Sequence, residues 1–132
     1  MSFEQRAAQT WGAGSELLGG DVTLEGDTEQ NVSVTIDNGA TDFALGVDWA
    51  ADKLQSIFIE VSKDCTLEVN SSSAPTDTIA LKAGHPFFWD RESGMPEPFD
   101  GTAGAVTNMY VTVPDTDPDA DCDFELRALV DL

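Results

Sequence analysis

Positive charge is what this sequence has least of. Six Lys and Arg stand against 25 Asp and Glu, a net charge of −19. Such a chain repels nucleic-acid phosphates and anionic lipid surfaces, so neither is an expected partner. It also keeps copies soluble and apart at low salt. Scarce Lys beside abundant Asp suits a salty habitat; the plainer reading is a solvated acidic surface. There is one histidine, His85, and no Cys-x-x-Cys spacing, which leaves little for acid–base, zinc or redox chemistry. No run approaches the roughly 18 apolar residues of a transmembrane helix. No apolar leader follows the polar opening Met1-Ser-Phe-Glu-Gln-Arg, so the expectation is a chain made in a cytoplasm and not exported by the usual route. Asn31-Val-Ser33 and Asn70-Ser-Ser72 then read as turn chemistry and not as glycosylation acceptors. Cys65 and Cys122 open similar segments, Asp-Cys-Thr-Leu-Glu-Val and Asp-Cys-Asp-Phe-Glu-Leu. A disulfide between them is possible in principle, but a cytoplasmic origin favours two free thiols.

What is present is a period of two. Val32, Val34 and Ile36 alternate with polar residues, and Asp37-Asn-Gly is a turn signal. Phe43, Leu45 and Val47 make the next strand. The segment 48–55 is the one plausible helical turn in the body. In 56–61, Ile57, Phe58 and Ile59 are apolar on both faces, so both faces must be covered, within the fold or by a partner. Short strands follow at 66–69, 77–82 and 86–89, then a loop over 91–101 with two prolines and two glycines. Strands at 106–113 and 124–130 flank the acidic turn 114–121. Roughly eight or nine short strands without a long helix predict an all-β, single-domain β-sandwich over residues 21–132, jelly-roll-like, with strand order left open. Val32, Val34, Ile36, Leu45, Ile57, Ile59, Leu67, Val69, Ile79, Leu81, Val111, Phe124 and Leu126 are its expected core. Residues 1–20 read as an extended N-terminal arm, with 11–20 too glycine-rich for regular structure. Trp11, Leu17 and Leu18 argue against a frayed tail, because disordered tails seldom carry large apolar groups.

The available chemistry is sparse. His85 lies between Gly84 and Pro86, where it reads as a turn residue without an orienting partner. Asp115, Asp117, Asp119, Asp121 and Asp123 alternate like calcium ligands, yet the glycine and glutamate of an EF-hand loop are absent and a solvated acidic turn is the plainer reading. Carboxylates are plentiful, but nothing picks out a glycosidase pair. Trp49, Phe87, Phe88, Trp89 and Tyr110 are sugar-platform candidates, though such residues more often serve a core or an interface. The expectation is a non-enzyme with no catalytic residue, metal or cofactor. An acidic DNA mimic would need carboxylates spaced along one face, and those here are scattered.

One stretch carries a resemblance. Leu-Gln-Ser-Ile-Phe-Ile at 54–59 is followed by Asn-Ser-Ser-Ser-Ala-Pro-Thr-Asp-Thr-Ile-Ala-Leu-Lys-Ala-Gly-His-Pro-Phe-Phe-Trp at 70–89, then Met-Tyr-Val-Thr-Val and Phe-Glu-Leu-Arg-Ala-Leu-Val-Asp. This resembles the small decoration or cement proteins of tailed bacteriophage capsids, over roughly residues 30–132. The resemblance implies a β-sandwich or jelly roll on the capsid surface, often trimeric, that binds the major capsid protein and bridges its subunits; arms in such proteins tie neighbours together. The charge of −19 departs from that pattern by its size. Trp11, Leu17, Leu18, Phe58 and Phe88 are the candidate interface residues. The alternative is a carbohydrate- or receptor-binding sandwich of a virion fibre or adhesin, with Trp49, Trp89 and Tyr110 as its patch.

Overall fold

The computed structural model describes residues 3–13, 16–99, 101–102, 104–116 and 120–131, with the backbone alone for Phe3 and residues 5–13 and 16–24. Two four-stranded antiparallel sheets face each other. The first has the order β3 (Thr28–Ile36), β12 (Cys122–Val130), β6 (Leu54–Val61), β9 (Phe87–Asp90). The second has the order β4 (Phe43–Ala44), β11 (Met109–Thr112), β7 (Cys65–Val69), β8 (Thr78–Leu81). A short pair joins β5 (Trp49–Ala50) to β10 (Ala105–Val106).

These pairings are nested. β7 pairs with β8 across the 70–77 loop, β6 with β9, β5 with β10, β4 with β11 and β3 with β12. The body is thus one long antiparallel ribbon, folded back at 70–77 and rolled so that β12 also meets β6 and β11 also meets β7. That is the strand order of a jelly roll. The period-two pattern supplies its layers: Phe124, Leu126 and Ala128 on β12 face inward, as do Ile57 and Ile59 on β6 and Leu67 and Val69 on β7, all buried.

Nine of the expected core residues are buried. Val32, Val34, Leu45 and Ile79 are only half-buried, packed against the core from its margin. Val32 and Val34 on β3 and Ile79 on β8 lie in sheet-edge strands and Leu45 directly follows the edge strand β4, where a side chain has a neighbouring strand on one side alone; Ile36 and Leu81 on the same edge strands are buried. The core also takes Trp49, Leu54, Val106, Met109 and Val113, and it reaches Phe99 in the 91–101 loop, whose ring lies 6.3 Å from that of Trp49. The helical turn expected over 48–55 is a single 3₁₀ turn, Ala51–Lys53. No helix among the described residues is long and apolar enough to cross a membrane.

The N-terminal segment departs from the expectation that 11–20 lacks regular structure. β1 (Phe3–Ala13) and β2 (Glu16–Gly26) form an antiparallel hairpin whose register runs from Phe3↔Gly26 to Ala13↔Glu16. A ladder is made by backbone groups, which glycine has like any other residue, so paired strands tolerate Gly12, Gly19 and Gly20. β2 also runs through the expected boundary between residues 20 and 21.

Leu126, fully buried between Val32 and Ile59, and Val32 at the sheet edge give a direct comparison. Leu126→Ala is expected to cost about 2–5 kcal/mol in urea unfolding and Val32→Ala less than half of that. Equal costs would contradict the edge assignment.

Candidate binding surface

The side of the β3–β12–β6–β9 sheet turned away from the core carries the distinctive groups. Alternation puts Asp123, Glu125, Arg127 and Leu129 outward on β12, and register arranges their neighbours in rows. One row is Asn31, Arg127, Phe58 and Phe88. Two of the expected interface residues, Phe58 and Phe88, are therefore direct cross-strand neighbours, both half-buried. The next row places Glu60 opposite Glu125. Like charges opposed across a sheet destabilise it, and Arg127 relieves this through an ion pair to Glu125 at 2.7 Å. Beyond lies a shallow groove of about 400 Å³ lined by Ser33, Thr35, Glu60, Ser62, Asp123 and Glu125. It is open and acidic, and Thr35 already donates to Asp123 at 3.1 Å.

On the other side of the aromatic row, the outward groups are covered. Leu129 is 0 % exposed, Ser56 1 % and Asp90 6 %. Leu129 lies outside the main core, and a register shift between Leu129 and Val130 lets consecutive residues 128–130 all be buried. Over Leu129 the cover is the base of the hairpin, while Asp90 accepts the Glu92 N–H of its own turn at 3.0 Å. β2 approaches β12 and β6, Asp27 N–H donates to Val130 O at 2.9 Å, and a Cβ added to Gly26 would stand 2.8 Å from Leu129 Cγ. Glycine is required there by this close approach.

The hairpin register sorts its residues into two faces. Phe3, Ala7 and Trp11 stand opposite Gly26, Val22 and Leu18 at positions of one face; Glu4, Arg6 and Ala8 stand opposite Glu25, Thr23 and Asp21 at positions of the other. Trp11 and Leu18 are thus a cross-strand pair, whereas Leu17, opposite Gly12, belongs to the other face. The side chains of Trp11, Leu17 and Leu18 lie outside the described residues.

The remaining candidates are dispersed. Trp49 and Trp89 are core residues, 4 % and 5 % exposed, and Tyr110 is on the opposite sheet, so these three do not form a surface patch. Trp89 is held by its Nε1 donating to Met95 O at 3.2 Å and by Arg91 above its ring. His85 is exposed and closes a tight turn by donating its N–H to Lys82 O at 3.1 Å. In the acidic loop, Asp115 accepts from Asn38 Nδ2 and Asp121 from Asn38 N–H, while Lys63 Nζ bonds Asn38 Oδ1 and Ala120 O. The loop is thereby tied to the Asn38-Gly39 turn and carries its own ammonium. Asp117 and Asp119 lie outside the described residues, and no acidic, His or Cys cluster among the described residues is arranged to hold a metal. The groups that sequence reasoning missed are Arg127 and Leu129. Alternation in Phe124-Glu-Leu-Arg-Ala-Leu signals their outward direction, but only register reveals Phe58 beside one and Gly26 above the other.

No family model and no curated protein matches the chain. Two solved structures are similar at low levels. A de novo designed double-stranded β-helix shares 10% identity with a TM-score of 0.37, covering 76% of this chain and 97% of its own. A chain from a structure of infectious bursal disease virus, Gx strain, shares 12% identity with a TM-score of 0.30, covering 88% of this chain and 35% of its own.

Beside the His85 turn, Asp64 accepts the Ala83 N–H at 2.9 Å and lies 3.4 Å from Lys82 Nζ. The Ala83 hydrogen bond first, then Lys82 and the His85 charge, hold its carboxyl below its ordinary value of 3.8. A depressed folded pKa contributes stability above the unfolded value and loses it as pH falls through the folded one. Asp64→Asn is therefore expected to lower Tm slightly at neutral pH, with the difference closing below pH 3.8. Melting curves from pH 7 to pH 2 check this, and a difference unchanged by acid would contradict it.

Proposed function

We propose that this protein is a non-enzymatic virion structural protein that decorates a capsid shell and stabilises contacts between major capsid subunits. The observation that carries the reading is the hairpin. Eleven register pairs make a ribbon about 35 Å long at ~3.4 Å per residue, and it meets the body through the base of β2. A two-stranded ribbon is marginal in water by itself and needs a third surface. One of its faces holds the Phe3, Ala7, Trp11, Leu18 and Val22 positions, suited to an apolar groove between neighbouring subunits. The Phe58–Phe88 pair beside its base supplies a second contact. The jelly-roll body suits a shell module, since closely packed sheets present flat outer faces. Attachment as a homo-trimer, with the major capsid protein as the partner, is part of the same proposal, as is a location on the capsid surface after synthesis in the host cytoplasm. The residues 30–132 resemblance to decoration proteins points the same way.

Two variants test it on capsid shells assembled without the protein. Removing residues 1–24 takes away the ribbon and leaves Gly26 on Leu129; the body is expected to stay folded and shell occupancy to fall strongly. Phe58→Ser with Phe88→Ser is expected to leave circular dichroism unchanged and to weaken shell binding about ten- to a hundred-fold, the scale of lost aromatic anchors. Truncated and full-length protein binding alike would remove the hairpin from attachment. No binding by full-length protein would overturn the capsid reading.

A further inference from the structure

Cys65 and Cys122 begin β7 and β12, strands of opposite sheets, and neither has a part in the surface described above. Both thiols are free, 5 % and 0 % exposed, and both belong to the same core cluster. The β6–β7 corner brings them together. Ser62 N–H donates to Asp123 O at 3.0 Å and Asp123 N–H donates to Ser62 Oγ at 2.7 Å, which pins the corner to the start of β12. Cys122 Sγ lies 3.6 Å from Lys63 O, two residues before Cys65. Burial first, then the neighbouring Cys122 sulfur, pushes the Cys65 thiol up to about 12.

We propose that Cys65 and Cys122 are a latent cross-link site, in which oxidation forms one disulfide that staples the two sheets of the roll. With a small-molecule disulfide such as oxidised glutathione as oxidant, the balance is simple. Two S–H bonds and the glutathione S–S bond are lost. One Cys65–Cys122 S–S bond forms, and two glutathione thiols leave with the two protons. The attacking species is a thiolate, which exchanges faster the more of it is present. In the folded protein both the scarcity of Cys65 thiolate and the burial of the pair hold the exchange back. The cross-link therefore forms when the chain folds or opens in an oxidising medium, and it persists once the core closes over it. Reduced synthesis in a cytoplasm followed by release outside it would lead the protein through both conditions. The closed loop runs from the β7 start through the 70–77 fold-back to the β12 start, about half of the ribbon, so the bond restrains the unfolded chain over a long segment.

The experiment refolds the full chain from denaturant with and without oxidised glutathione, then counts thiols by alkylation under denaturing conditions with mass spectrometry. Expected are no free thiols, a monomer mass, and no glutathione adduct in the oxidised sample, with Tm raised by about 10 °C or more. Native protein given the same oxidant should convert at least tenfold more slowly than refolding protein. Cys65→Ser and Cys122→Ser, each with one thiol, should show no oxidant-dependent rise in Tm. Persistence of two free thiols, a stable glutathione adduct, a disulfide between chains, or an unchanged Tm in the cross-linked monomer would overturn the proposal.

Discussion

The double pairing of β12, with β3 on one side and β6 on the other, is the interaction on which the rest of this structure depends. It brings the last described strand between two much earlier ones. Its inward residues Phe124, Leu126 and Ala128 fill the middle of the core, and its outward Arg127 and Leu129 organise the outer face. Every nested pairing inside the ribbon is closed by this one. Contacts so distant in sequence must offset the entropy of closing a long loop before they stabilise anything.

Charge is managed locally and left uncompensated globally. Lys63 is taken into the Asn38 turn and acidic loop, and Arg91 holds the 91–101 loop through Leu54 O and Glu97. Lys82 pairs with Asp64 and Arg127 with Glu125. These are mostly exposed pairs, each contributing little to stability. Their effect is positional: a cation is placed where two chain segments or two carboxylates would otherwise repel. The remaining negative charge covers the surface, and the Phe58–Phe88 pair stands out against it as a cross-strand aromatic contact.

Leu129, buried in the row that also holds Ser56 and Asp90, links body and hairpin. Gly26 has no side chain, so β2 comes down onto Leu129, and the register shift beside Val130 turns that leucine's neighbours into the core. The hairpin and the sandwich thus meet in a close contact of Gly26 on Leu129 and not through a linker.

What the sequence by itself determined was the alternation. From it followed the all-β class and the inward sets on the central strands, while Asn-Gly chemistry marked the Asn38-Gly39 turn and the unbroken apolar run 57–59 marked a strand covered on both sides. Alternation cannot say which strands are neighbours, because a period of two is the same for an edge and a centre. That is why Val32, Val34, Leu45 and Ile79 are less buried than their pattern suggests, and why Trp49 and Trp89 lie in the core and not on a surface platform. Glycine content likewise conceals a backbone ladder, so the hairpin was legible only as an arm. Strand order, the Phe58–Phe88–Arg127 row, the cover over Leu129 and the meeting of Cys65 with Cys122 were decided by tertiary structure alone. Each depends on register between segments far apart in the chain, and register is set when the ribbon rolls up, by packing that no local pattern encodes.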